Sequence, residues 1–145
     1  MQDWGQVISI DHRKSQVENV KRILQESKLE ATLVLREPTP LDHTEEEVST
    51  RYLLGQLRHY VKTPHEMVDL NSVDLVFIDG RHRIECALAS SELLKSGGLL
   101  MIHGFWSNYH YRASLTEILV CFDYLFESPP HPDFPEQGLA VFRRK

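Results

Sequence analysis

Long apolar runs are missing from this 145-residue chain. Runs such as LVFI at 75–78 and GGLLMI at 97–102 fall far short of the ~20 residues a membrane-spanning helix needs. No membrane partner is expected. A block of positive charge is missing too. Sixteen lysines and arginines face 21 aspartates and glutamates, for a net charge of -5. Proteins that grip nucleic-acid phosphates show a basic face, so nucleic acid is not an expected partner. Cysteine is scarce. Cys86 and Cys121 have no metal-type spacing and read as reduced thiols. The N-terminal stretch MQDWGQVISIDHRK has neither the basic region nor the apolar core of a secretory signal. A cytoplasmic setting is the default expectation. No internal repeat and no linker marking a second domain is visible.

What is present suits a globular fold. Hydrophobic residues make up 41% and charged residues 26%, and the length fits a single domain over 1–145. A β-branched run at 6–10 (QVISI) ends at Asp11. Val17, Val20, Ile23 and Leu24 then recur at helical spacing, predicting a helix over 15–28. Ser15 with Glu18 three positions later forms a capping-box pattern at its start. A second strand is expected at 31–36, stopped by Pro38 and Pro40 after Glu37. Residues 44–62 read as a helix, with Glu45, Glu46 and Glu47 in its first turn and Arg58, His59 and Lys62 near its end, an order that suits the helix dipole.

The second half repeats the alternation. VDLVFI at 73–78 is a strand that leaves through Asp79-Gly80. An amphipathic helix over 84–95 is expected to stop at Ser96-Gly97-Gly98, where glycine supplies a left-handed residue. LLMIH at 99–103 is another strand, 112–120 a helix, and 121–127 with 138–143 a strand pair joined by a proline-rich loop. Alternating strands and helices imply parallel strands linked by helical crossovers. The expected fold class is therefore α/β, a Rossmann-like, mostly parallel sheet with a C-terminal antiparallel strand pair. In such sheets ligands gather beyond the carboxyl ends of the strands. Those ends carry Asp11 and His12, Glu37, Asp79 to His82, and His103 to Trp106.

The segment VDLVFIDGRHRIECALASSELLKSGGLLMIHGFW resembles class I S-adenosylmethionine-dependent methyltransferases, most of all the branch with an FIDG-x-H turn, a helix and a GG strand ending in His-Asp. VISIDHRKSQVENVKRIL is similar to that fold's second strand and following helix, and FDYLFE with GLAVFRRK to its final antiparallel pair. Nearly the whole chain is covered, with 40–70 matching least. The resemblance implies S-adenosylmethionine as cofactor, with Asp11 holding its ribose hydroxyls and Asp79 shaping its pocket. It also implies a first strand and a glycine-rich loop, and neither precedes QVISI, where Gly5 stands alone. The chain thus reads as a methyltransferase fold truncated at its N-terminus, with unpaired sheet edges open to self-association. His103-Gly104 stands where the branch has His-Asp, which leaves Asp79 without a second carboxylate, and no metal is expected.

The implied reaction is methyl transfer to a small molecule, most simply to oxygen. His82 and His103 are the candidate catalytic bases, since histidine as a residue type titrates near neutral pH. The alternative is an inactive remnant serving as an interaction or structural module. Each candidate residue also has a plainer role: Asp11 as a turn or capping aspartate, Asp79 as an Asp-Gly turn residue, the histidines as structural groups. Arg81 and Arg83 hold an anionic substrate or form a solvated basic turn. Trp106, Tyr109 and Tyr111 line a pocket or cover a core. Cys86 reads as a small buried residue.

Overall fold

The computed structural model describes residues 5–36, 59–128, 132–133 and 138–145. The chain divides into two compact units, Met1–Tyr60 and Val61–Lys145. The prolines at 38 and 40, Glu37, and most of the helix expected over 44–62 lie outside the described residues.

The first unit holds β1 (Ile8–Asp11), α1 (Lys14–Ser27) and β2 (Thr32–Leu35). β1 and β2 pair in parallel, with Ile8 opposite Thr32 and Asp11 opposite Leu35. This is a strand–helix–strand crossover of the kind the alternation implies. Val17, Val20 and Leu24 are half-buried, while Ile23 is 47% exposed. The capping box does not form. The helix starts one residue early, after Arg13, and has no side-chain cap. The Asp11 carboxylate instead accepts the Arg13 backbone N–H at 2.8 Å, so the turn leaving the strand organises the start that Ser15 was expected to provide. Lys28 closes the helix in the left-handed region, with φ of 54°.

A helix over 59–67, here α2, runs past its expected end at 62 and through Pro64. Proline lacks an N–H and so forfeits one helical bond, but the Pro64 carbonyl still accepts from the Val68 N–H at 3.1 Å. In the second unit follow β3 (Val73–Ile78), α3 (Arg83–Leu93), β4 (Leu94–His103), α4 (Tyr109–Ala113), α5 (Leu115–Cys121), β5 (Phe122–Ser128) and β6 (Leu139–Arg144). They form a four-stranded sheet in the order β3-β4-β6-β5. β3 and β4 are parallel, and β6 runs antiparallel to both β4 and β5. The α/β class, the parallel pairs and the terminal antiparallel pair are as expected.

Two boundaries differ from the sequence reading. α3 stops at Leu93, and Leu94 already has extended backbone. β4 therefore starts five residues early and absorbs the two glycines as an irregularity, since Val73 pairs with Leu94 but Leu75 pairs with Leu99. Gly97 has a φ of 81°, and a Cβ on Gly98 would lie 2.9 Å from the Lys95 carbonyl oxygen and 3.2 Å from that of Asp74. The glycines thus permit a bulge and a close backbone approach rather than a helix stop. The helix expected over 112–120 is split in two, and the Asn108 side chain starts α4 by accepting the His110 N–H at 2.9 Å.

One face of the sheet forms the core. Ile78, Leu100, Ile102, Ala140 and Phe142 pack there with Ala87 of α3, Ile118 of α5, and Phe105 and Phe122. Arg144 fastens the layers, with Nε donating to the Ser91 carbonyl at 2.8 Å and Nη1 to that of Cys121 at 3.1 Å. Phe142 is fully buried and meets the rings of Phe105 and Tyr124 edge-on. Truncating such a side chain removes transfer energy and leaves a cavity. Phe142→Ala is expected to cost about 3–5 kcal/mol, read from the midpoint of urea unfolding.

Candidate functional site

In the second unit, parallel pairing decides which residues meet. Ile78 stands opposite Ile102, so the next residue along each chain, Asp79 just past β3 and His103 at the end of β4, emerges at the same edge. The His103 Nδ1 lies 2.6 Å from Asp79 Oδ1. Gly104, with a φ of 64°, turns the chain away there, and its N–H donates to the Gly138 carbonyl at 2.7 Å. The Asp79 side chain is 53% exposed and that of His103 30% exposed, so the pair faces solvent at the carboxyl end of the sheet. A carboxylate can only accept, so it holds the imidazole proton on Nδ1 and leaves the lone pair of the neutral ring on Nε2. Among the described residues Nε2 has no hydrogen-bond partner. Asp79 Oδ2 likewise receives no donor there.

The other residues of the FIDGRH turn fall into distinct positions. His82 is half-buried at the start of α3 in the left-handed region, with φ of 52° and ψ of 44°. Its carbonyl accepts the Cys86 N–H at 2.8 Å. Its side chain has no hydrogen-bond partner among the described residues. A non-glycine residue with positive φ is uncommon, so the turn presents His82 from a sparsely populated backbone conformation. Arg81 is exposed. Arg83 is neither a solvated turn residue nor a free anion clamp. Its Nε donates to the Gly80 carbonyl at 3.0 Å, Nη1 to the His103 carbonyl, and Nη2 to the Asp79 carbonyl at 3.2 Å. Nη2 also lies 3.3 Å from Asp79 Oδ1, and the guanidinium sits over the Tyr111 ring at 5.7 Å. Sequence reasoning missed this role, although the four-residue step from Asp79 to Arg83 was a usable signal.

Cys86 fits its plain reading. Burial, and secondarily the charge of Glu85, push its thiol up to about 12, which keeps it un-ionised and unreactive at neutral pH. Trp106 is half-buried and packs edge-on against Phe105 and Tyr124, so it covers core. Tyr109 is 72% exposed.

Asp11 belongs to the first unit, at the carboxyl end of β1. Its Oδ1 accepts the Arg13 N–H at 2.8 Å, and Arg13 Nε approaches the same oxygen at 3.4 Å. Among the described residues Oδ2 has only a long 3.5 Å contact, to Arg13 Nη2. The His12 Nδ1 lies 3.5 Å from Oδ1, and the His12 ring meets Tyr60 edge-on. Partial burial works against ionisation of Asp11, but the Arg13 backbone N–H, the Arg13 side chain and the nearby His12 outweigh it, and the carboxyl titrates below its ordinary value of 3.8. The capping-type reading and an acceptor role are therefore compatible, since Oδ2 retains capacity to accept a hydroxyl. Among the described residues, no group of three or more His, Cys, Asp or Glu could hold a metal ion, and no helix is long and apolar enough to cross a membrane.

No protein-family model and no curated sequence matches the chain. Solved structures do. A methyltransferase-like protein from Silicibacter pomeroyi superposes with a TM-score of 0.62 at 19% identity, covering 97% of this chain and 68% of that one. A Methanococcus jannaschii fibrillarin pre-rRNA processing protein gives 0.64 at 17% identity, with 98% and 57% covered. A SAM-dependent O-methyltransferase from Thermotoga maritima gives 0.58 at 15%, with 99% and 51% covered. The chain thus has the Rossmann-like fold of class I S-adenosylmethionine-dependent methyltransferases, and it spans about half to two-thirds of the length of these three. Nothing in these comparisons singles out the FIDG-x-H branch.

The depressed titration of Asp11 has a consequence for stability. A carboxyl whose folded value lies below its unfolded one stabilises the fold above the unfolded value, and that contribution disappears as pH falls through the folded value. Asp11→Asn is expected to melt slightly below the parent at neutral pH, with the gap closing below about pH 3.8. Melting temperatures of both chains across that range check the sign.

Proposed function

We propose that this chain is an S-adenosylmethionine-dependent methyltransferase-like protein that transfers methyl to a hydroxyl of a small molecule, with His103 as the base. The Asp79–His103 contact of 2.6 Å at the carboxyl end of the sheet carries this reading. With Nδ1–H directed at Asp79, the Nε2 lone pair of His103 is available to take the proton of a substrate hydroxyl as its oxygen becomes a nucleophile. The resulting imidazolium then sits beside the Asp79 carboxylate, which stabilises it. Asp79 thereby acts as an orienting group, and its Oδ2 retains capacity for the cofactor-side role that the resemblance implies. His82, unpartnered among the described residues, is the second candidate base.

The bound cofactor would supply an electrophilic methyl group on a sulfonium. Asp11 fits its ribose, because an ionised carboxylate with one lightly engaged oxygen can accept hydroxyl donors. A Streptococcus mutans methyltransferase candidate of similar fold (TM-score 0.62, 11% identity, covering 97% of this chain and 76% of that one) was solved in complex with SAH, which supports the choice of cofactor. Calorimetric titration of the chain with S-adenosylmethionine is the test. Saturable binding is expected. Removing a charged acceptor costs about 1.5–3 kcal/mol, so Asp11→Ala is expected to weaken binding about tenfold or more. Absence of binding by the folded chain removes the catalytic reading.

A second reading, a non-catalytic interaction module, has its own observation. Among the described residues β3 pairs on one side only, and its Leu75 and Phe77 are 49% and 58% exposed. An unpaired apolar edge strand is a template for another strand. On this reading the chain self-associates in light scattering after size exclusion, and Phe77→Lys returns it to monomer. A monomer at every concentration rules it out.

A further inference from the structure

We infer that Arg83 is a positioning residue that sets the geometry and tautomer of His103, an inference that rests on the proposed role of the Asp79–His103 pair and extends it to a residue outside it. Arg83 has five N–H donors in a planar fork. Its three nitrogens reach carbonyls of three different residues, Gly80, His103 and Asp79. Two of these belong to the exit of β3, and the third is the last residue of β4. One of the same nitrogens also lies 3.3 Å from Asp79 Oδ1, the oxygen that approaches His103 Nδ1 at 2.6 Å.

Arg83 therefore holds both members of the pair, one by its carboxylate and backbone, the other by its backbone. Its side chain is only 20% exposed, so solvent competes weakly for these donors. On the far side, the Tyr111 ring of α4 lies under the guanidinium at 5.7 Å, which limits the planes the fork can adopt. Two groups facing Asp79 Oδ1, the guanidinium and the imidazole, have complementary tasks. The first fixes where the carboxylate points, and the second reads that direction as the site of its proton. A carboxylate released from Arg83 can rotate about its own side-chain torsions. The Nδ1–H···Oδ1 bond then loses the alignment that keeps Nε2 deprotonated.

Lysine does not replace this. An ammonium is a point charge on a flexible stem and does not reproduce the fork. The charge near Asp79 survives in Arg83→Lys, but the simultaneous hold on three carbonyls does not.

The test is ¹⁵N NMR of the His103 ring in the full chain, which separates Nδ1–H from Nε2–H tautomers by the shifts of the two nitrogens. The parent is expected to show the Nδ1–H form, and so is the control Arg81→Ala, which removes the exposed neighbouring arginine. Arg83→Ala and Arg83→Lys are expected to give mixed tautomers with a native far-ultraviolet circular dichroism spectrum. A purely structural role would lower the melting temperature and leave the tautomer unchanged, and that result overturns the inference. Unfolding of both Arg83 variants overturns it too, because the fork would then be holding the fold rather than the site. The readout needs neither cofactor nor substrate. An Nδ1–H signature that depends on Arg83 in a chain that fails to bind S-adenosylmethionine separates this inference from the catalytic reading.

Discussion

β3 and β4 run in the same direction, and Ile78 meets Ile102 across the ladder. Parallel strands end at the same edge of a sheet, so the residues at their carboxyl ends arrive beside each other. Here those residues are a carboxylate and an imidazole, Asp79 and His103. Side chains alternate along a strand, so a one-residue slip would move every side chain to the opposite face. The register is held from below by the core, because Ile78, Leu100, Ile102 and Phe142 are all buried on one face. The irregularity at Lys95–Gly98 lies at the opposite end of β4 and leaves the register at the Asp79–His103 end undisturbed.

Arginine closes the loose ends of this arrangement at both edges. Carbonyls at strand exits have no ladder partner, and leaving them unsatisfied in part-buried surroundings is costly. Arg83 takes up those of Asp79, Gly80 and His103, and Arg144 takes up helix carbonyls, those of Ser91 in α3 and Cys121 at the end of α5. Both use the multi-donor planar head that lysine lacks. The carboxyl end of the sheet therefore combines a buried apolar floor with a charged, hydrogen-bonded rim.

Much of the fold was legible from periodicity. Every strand proposed from a β-branched or apolar run is present among the described residues, with β3 as expected, the start of β4 five residues early and the other displaced ends off by one or two residues. Errors gathered where local signals competed. Ser15 and Glu18 spelled a helix cap, yet Asp11 at the strand end reached the Arg13 N–H first. Gly97-Gly98 spelled a helix stop, yet pairing with β3 pulled the chain into a strand from Leu94 onward, because ladder bonds to a neighbouring strand outweigh a local turn preference. The capping by Asn108 and the passage of α2 through Pro64 were likewise invisible to pattern alone.

The sequence by itself determined the order of strands and helices, the α/β class and the short list of polar residues at strand ends, because apolar periodicity and turn chemistry are local properties. It also placed Asp79 and His103 on that list, though 24 residues apart. Only the tertiary structure decided that these two share a hydrogen bond, that Arg83 turns inward to hold them, and that Trp106 covers core. Those outcomes depend on strand direction, register and the packing of one layer against another, and such long-range geometry leaves no periodic trace along the chain.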